Sequence, residues 1–539
     1  MTDNFDFIIV GGGSAGCLLA NRLSANPAYK VLLLEAGPSD DAAMVKAPLG
    51  TFALYHSAKF NWKFWSKEGE GLNERQIFCP QGKTLGGSSA INAMIYARGH
   101  REDYDHWQAL GNRGWGYDEM LRHFKACEYN EDFDNDFHGS LGELNVQNAV
   151  IPHPHSERLI LAGLQAGYPY NPDFNGESQE GVGLYQLTIK DGQRCSAAHA
   201  FLQPVKHRQN LTWITDARVS RIHFQGKCAT GVTYHSRGEE KQAFAAKEVI
   251  ISAGTFNSAK LLMLSGIGPE EELARHNIPL LHALPGVGRN LQEHVDIVIA
   301  TTSKIPDTMT ISFGGLVKMV PEFFRYLKRR QGAFCKAVTE SGGFIRSNPD
   351  KGRPNIQLQG TNAMFNKHGF DAGILKHHGY SLHVTLLQPK SRGEVRLRSD
   401  NYLDNPDIRL NLLQHDEDIK DLTDGLRLGR EILAQDAYRE HCRQEVYPGA
   451  DIQSDEEIAE MLKDKACHVY HPVGTCKMGH DDMAVVDDCL RVHGIDNLRV
   501  IDASVMPVIV SGNTNAPVMA IASKGAELIL QTYRQQLAL

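Results

Sequence analysis

"FDFIIVGGGSAGCLLANRLS", residues 5–24, decides how the rest of the chain is read. The apolar run Phe5 to Val10 has the length and composition of a buried strand, and Leu18, Leu19 and Leu23 recur on one face of a following helix. Between them Gly11, Gly13 and Gly16 fit G-x-G-x-x-G. Gly11 permits a tight turn, Gly13 lets the backbone approach a pyrophosphate, and Gly16 allows helix and strand to touch. Ser14 and Ala15 open the helix, so its free N–H groups face the phosphates. The next strand, "YKVLLLEAG" (29–37), ends in Glu35 and Ala36, and Glu35 stands 19 residues after Gly16, where an acid meets a ribose hydroxyl. A dinucleotide is expected here, and this fingerprint alone leaves FAD and NAD open.

The bulk properties narrow the partners. Net charge is −8, from 56 Lys+Arg against 64 Asp+Glu, so there is no basic field to hold a polyanion and nucleic acid is not expected. The 10 cysteines are scattered without a C-x-x-C, a pattern of free thiols in a reducing compartment. The opening "MTDNFDFIIVGGG" has no basic leader region, and no run of eighteen apolar residues occurs, so a cytoplasmic protein without a membrane-spanning helix is expected.

A second glycine turn lies in "PQGKTLGGSSAINAMIYARGHREDYDHW" (80–107), where Gly86, Gly87, Ser88 and Ser89 would let backbone lie against a flat or phosphorylated ligand. This stretch resembles the first signature of the glucose–methanol–choline (GMC) oxidoreductases, flavoenzymes that oxidise alcohols with FAD. "GTFNSAKLLMLSGIG" (254–268) resembles their second signature, departing at Ala259. "LPGVGRNLQEHV" (284–295), "SRGEVRLRS" (391–399), "HPVGTCKMG" (471–479) and "VIDASVMPVIVSGNTNAPVMAIASKGAELI" (500–529) match further blocks of the family. Within it the sequence is most similar to bacterial choline dehydrogenase-like and FAD-dependent aliphatic alcohol dehydrogenases.

The resemblance implies an α/β (α+β) fold: a Rossmann-like FAD-binding domain assembled from residues 1–155, 190–305 and 466–539, and a substrate domain with an antiparallel sheet from 156–189 and 306–465. It places the phosphates at Gly11 to Gly16, ribose at Glu35, adenine near Val219, the ring near Gly87, Asn92 and Ala93, and Asp502, Ala503 and Asn515 towards the ribityl chain and ring. Some relatives attach FAD through a His in the first signature. Ile91 occupies that position here, so non-covalent FAD is expected.

"HVYHPVGTCKMG" (468–479) offers two imidazoles and a thiol. Zinc is not expected: in extended backbone His468 and His471 would point to opposite faces, and the remaining ligands of a closed site are missing. His468 is read as structural and Cys476 as packing. His471 precedes Pro472 in a turn that can hold the ring still, and in the family this His faces the flavin where the alcohol binds. Alcohol oxidation removes a hydroxyl proton and passes hydride to flavin N5, and a neutral imidazole can take that proton. His471 is therefore the expected base. Asn515 is its expected hydrogen-bonding partner, with Asn513 as the neighbouring competitor.

For the substrate, a primary aliphatic or arylalkyl alcohol is expected first and choline second, with Glu340 in "KAVTESGGFIRS" (336–347) as the candidate partner of a trimethylammonium group. The family's motifs are shared by dehydrogenases that use a quinone or another acceptor and by oxidases that use dioxygen. In "GLVKMVPEFFRYLKRRQGAF" (315–334), Leu316, Val320, Phe323, Phe324 and Leu327 lie at helical spacing beside Arg325, Lys328, Arg329 and Arg330. Residues 315–330 would suit peripheral contact with the inner face of the cytoplasmic membrane.

Overall fold

A computed structural model describes residues 3–537 except 68, 367–370 and 372. The strand Asp3–Val10 forms where the sequence predicts it and is parallel to Val31–Leu34 on one side and Glu239–Ile251 on the other. Leu211–Ile214 extends the parallel array beyond Val31–Leu34. Leu498–Val500 joins it beside the last residues of Glu239–Ile251, and the hairpin strands Cys228–Ser236 and Ala217–Gln225 complete the sheet in antiparallel fashion. Phe7, Ile8, Ile9 and all four residues of "VLLL" (31–34) are buried, because a parallel sheet covered on both faces takes uninterrupted apolar runs. The helix Ser14–Leu23 covers it, packed against the C-terminal helix Asn515–Leu537. This is the expected α/β dinucleotide fold assembled from separated segments.

A second sheet, antiparallel throughout, has the strand order Cys442–Tyr447, Val295–Ser303, Gly379–Leu386, Ile356–Thr361, Thr339–Ile345 and Gly181–Leu184, with Cys467–His468 also paired to Val295–Ser303. The expected boundaries at 305 and 465 therefore move, since the strands at 295 and 467 belong to this sheet. "VDIVIATTS" (295–303) is an apolar run that either sheet could accommodate, so local pattern does not assign it. Asp416–Leu433 packs on one face, close enough that a Cβ at Gly425 would lie 2.9 Å from Ile356 Cδ1. Among residues 306–465 the helices Phe313–Arg329, Asp416–Leu433 and Asp455–Lys465 are as prominent as the strands. The opposite face, through Asp296, Val298, Gln359, Thr361 and His383, lines a cavity it shares with the first sheet.

Candidate active site

One cavity of about 2430 Å³, including its open mouth, runs from the glycine turn to the second sheet. At Gly11, φ is +105° and a Cβ would lie 2.3 Å from Ser252 O; a Cβ on Gly16 would lie 1.9 Å from Gly11 O. Both positions require glycine for the tight turn and the close helix–strand contact. Gly16 is accordingly a packing residue outside the cavity wall, whereas Gly11, Gly13, Ser14, Ala15, Glu35, Ala36, Gly87, Asn92, Ala93, Val219, Asp502, Ala503 and Asn515 all line it.

The two glycine turns face one another, and a Cβ on Gly87 would stand 2.7 Å from Gly13 Cα. Ser14 Oγ donates to Asn515 Oδ1 at 2.8 Å, which ties the starts of the helices Ser14–Leu23 and Asn515–Leu537 together at the cavity. Two helix N-termini beside a glycine cradle suit a pyrophosphate. Glu35 accepts from the backbone N–H of Gly12 at 2.8 Å and of Gly37 at 2.7 Å, and burial pushes its carboxyl up to about 7. Asp502 accepts from Gly254 N–H, Ser258 Oγ, and both Ser504 N–H and Oγ, so its carboxylate fixes the surrounding turns. These residues fit a bound dinucleotide.

The candidate base sits in a network closed by residues distant in sequence. His471 is buried, and its Nδ1 lies 3.0 Å from Nδ1 of His294. His294 Nε2 lies 3.0 Å from the Val510 carbonyl, which can only accept. The network therefore assigns the tautomers: His294 donates from Nε2 and accepts at Nδ1, His471 donates from Nδ1, and the Nε2 lone pair of His471 is left for a proton. Burial holds His471 well below the ordinary histidine range, and the positive charges that His294 and His468 can carry act the same way. Burial also lowers His294 to about 4. Both rings are thus neutral at physiological pH.

The asparagine in contact with His471 is Asn513, and Asn515 is held by Ser14. Asn513 Nδ2 donates to His471 Nε2 at 3.1 Å, while Gln357 Nε2 holds the Asn513 Oδ1 at 3.0 Å and fixes the amide's orientation. Asn515 opens the C-terminal helix and is engaged with Ser14. Both asparagines precede the same proline, and only the point where the helix begins separates their roles.

His468 faces away from this network, towards Glu293 Oε2 and the Phe78 carbonyl, both at 3.0 Å. Burial opposes its charge, but Cys79 and the Glu293 carboxylate raise its pKa well above the usual value. Glu293 Oε1 accepts the backbone N–H of His471 at 2.7 Å and so anchors the turn that carries the candidate base. The imidazoles of His468 and His471 share no ligand position. Cys476 is fully buried, and burial pushes its thiol up.

Glu340 does not line the cavity. Its Oε2 accepts from His153 N–H at 2.7 Å and Ser156 Oγ at 3.2 Å, where it caps the helix Pro154–Gln165. The strand's register shifts between Thr339 and Ser341, so Glu340 sits at a bulge, while Val338 and Thr339 just before it line the cavity. Asp296 is a carboxylate on the cavity wall that local reading did not single out; it contacts His383 Nδ1 at 2.7 Å and Thr385 Oγ1 at 2.8 Å. His294, also not singled out, stands inside the quoted block "LPGVGRNLQEHV", and its polar Glu-His pair directly before an apolar strand was the available signal.

A dinucleotide cradle opening onto a neutral, oriented imidazole defines a cofactor-dependent oxidoreductase. The chain belongs to the GMC oxidoreductase family, whose model matches residues 5–296 and 389–522. It is 44% identical to an alcohol dehydrogenase [acceptor] of Pseudomonas putida, over 98% of this chain and 96% of that one. It is 42% identical to the mitochondrial choline dehydrogenase of Homo sapiens, over 98% and 90% of the two chains. A solved formate oxidase variant of Aspergillus oryzae RIB40, studied for modification of its FAD, superposes with a TM-score of 0.92 at 28% identity, covering 99% of both chains. Among the described residues no helix is long and apolar enough to cross a membrane.

Proposed function

We propose that the chain oxidises a primary alcohol, aliphatic or arylalkyl, to the aldehyde, with His471 as the base and Asn513 in the hydrogen-bonding role first expected of Asn515. The chain is an FAD-dependent alcohol oxidoreductase. Bound FAD supplies the hydride acceptor. The segments around the first sheet would hold it, and the second sheet would provide the substrate wall. The phosphates would lie at Gly11 to Ala15, the ribose at Glu35, the adenine near Val219, and the ring near Gly87, Asn92 and Ala93. FAD is held non-covalently on this reading, because the buried aliphatic Ile91 has no nucleophile to attach it.

The observation that carries the proposal is the assigned lone pair on His471 Nε2. An incoming alcohol takes the place of the Asn513–His471 contact: its O–H donates to Nε2, and its oxygen accepts from the Asn513 amide. As the proton moves to His471, the Nδ1–H bond to neutral His294 supports the imidazolium, while Asn513 stabilises the developing alkoxide without titrating. Burial excludes water from the exchange and fixes both partners. Anaerobic mixing with straight-chain alcohols should bleach the oxidised flavin absorbance. A fully loaded protein that no alcohol bleaches would refute the activity, and yellow colour left in an acid-precipitated pellet would refute non-covalent attachment.

Choline is the second reading, supported by the similarity to a choline dehydrogenase and by the presence of Asp296 and Phe365 on the cavity wall. Bleaching by choline with no response to uncharged alcohols would favour it. Electrons then pass to a quinone or another acceptor, dioxygen being the alternative that readmission of air would reveal.

The helix Phe313–Arg329 would rest on the inner face of the cytoplasmic membrane during that transfer. Phe313, Val317, Val320, Phe324 and Leu327 are exposed along one stripe, flanked by exposed Lys318, Arg325, Lys328 and Arg329. Basic charge around an apolar stripe complements anionic lipid. Phe323 is turned inward against Phe334, with ring centroids 5.3 Å apart, and the side chain of Leu316 lies outside the described residues. Loss of anionic-vesicle binding in a Phe313→Ser/Phe324→Ser variant would support the contact. Undiminished binding would refute it.

A further inference from the structure

Among the described residues three arginines are almost completely buried: Arg98, Arg194 and Arg499. Arg98 pairs with Glu128, and Arg499 with Glu248. Arg194 has no carboxylate partner among the described residues. Its Nε donates to the Val45 carbonyl at 3.0 Å, its Nη1 to the backbone oxygens of Ser89 and Asn92 at 3.4 and 2.6 Å and to Asn92 Oδ1 at 2.9 Å, and its Nη2 to Thr51 Oγ1 at 2.8 Å. Every acceptor is neutral. Burying a charge without a counter-charge is costly, and a folded protein normally pairs it or uses it.

The placement suggests the use. Asn92 and Thr51 line the cavity, so the guanidinium stands directly behind its wall. On the proposed reading, to which this inference is tied, that wall faces the FAD ring. Oxidation of the alcohol breaks its O–H and C–H bonds: the hydroxyl proton goes to His471 Nε2, and hydride goes to FAD. The two electrons and one proton of the hydride leave the cofactor with one more negative charge than before.

We propose that Arg194 is a positioning residue of electrostatic kind, a fixed buried cation whose counter-charge is the negative charge that bound FAD acquires on reduction. A rigid charge in a low-dielectric wall needs no reorganisation when that charge appears. Its neutral hydrogen bonds leave the positive field uncancelled in the oxidised state. Burial lowers the guanidinium's pKa to about 10, which keeps it charged at neutral pH.

The test is the midpoint potential of the purified holoenzyme at neutral pH, read by equilibration with a reference dye. Replacing Arg194→Gln should shift the reduction equilibrium towards oxidised cofactor by ~tenfold or more, which is ~30 mV for a two-electron couple. Arg194→Lys, which keeps the charge while losing the planar fork, should hold the equilibrium closer to wild type than Gln does. A purely structural tie would move both variants alike. Equal potentials in wild type and Arg194→Gln, or equal shifts in Lys and Gln, would overturn the proposal. Should neither variant retain FAD, the wild type decides: its bound cofactor should have a more positive potential than free FAD, and an equal or more negative one would overturn it. Wild-type protein that copurifies without flavin would instead sink the FAD reading beneath it.

Discussion

Replacing His294 by leucine tests the tautomer assignment without touching the base. The substitution removes the acceptor 3.0 Å from His471 Nδ1 and leaves that N–H buried with no partner. It also frees His471 to adopt the other tautomer, with its proton on Nε2 where the alcohol must donate. A buried donor left unpaired costs ~1–3 kcal/mol, and at ~1.4 kcal/mol per tenfold the rate of flavin reduction should fall ~5- to ~150-fold. The assay is anaerobic stopped-flow bleaching with a saturating straight-chain alcohol, after FAD content has been matched to wild type. His294→Asn, whose Oδ1 can stand near the lost Nδ1, should recover part of the rate. A fully loaded His294→Leu protein reducing within about twofold of wild type would refute the relay.

Other consequences follow from the same geometry. Asn513→Ala should retain FAD and lose ~10-fold or more in the reduction rate, whereas Asn515→Ala should weaken FAD retention through the lost Ser14 contact, as read by flavin released on dilution. The acid limb of the reduction rate should lie below pH ~6.5, because the depressed pKa of His471 keeps it neutral until the pH falls through that lower value. Stability has the same sign: His294 at about 4 and His123 and His155 at about 3 are neutral when folded, so their contribution is intact above the unfolded value of ~6.5 and is lost as pH falls towards those values. Glu35 and His468, whose pKa values are raised, act with the opposite sign, so the measure is the change in melting temperature between neutral pH and pH ~5 in wild type against His123→Gln; an equal change in both would contradict it. Glu340→Ala should lower stability by ~1–3 kcal/mol by stranding the His153 N–H and Ser156 hydroxyl, and should leave the ratio of choline to alkanol oxidation unchanged.

The parts of this protein written in local pattern are the ones that local reading recovers. Strand, glycine turn, helix and Glu35 lie within 31 residues of one another, and each has its own periodic or conformational signature. An antiparallel second sheet was expected, but the membership of its inner strand Val295–Ser303 was not legible, because an apolar run does not reveal which sheet will take it. The site mixes both situations. His471 is marked by its turn, whereas His294 meets it across 177 residues, and the Glu-His pair that flags His294 does not say which residue it will meet. Which asparagine meets His471 turns on where one helix begins, a boundary that local sequence fixes only to within a residue or two. Glu340 lies outside the cavity at a bulge, and a bulge leaves no mark in the strand's periodicity.

The proposed transfer of the hydroxyl proton to His471 is tested most directly by His471→Ala. The variant should bind FAD in full, since the cradle lies in other segments, and anaerobic stopped-flow mixing with alcohol should show flavin reduction slowed by ~10²–10⁴-fold. Reduction at a near-normal rate in that fully loaded variant would contradict the account.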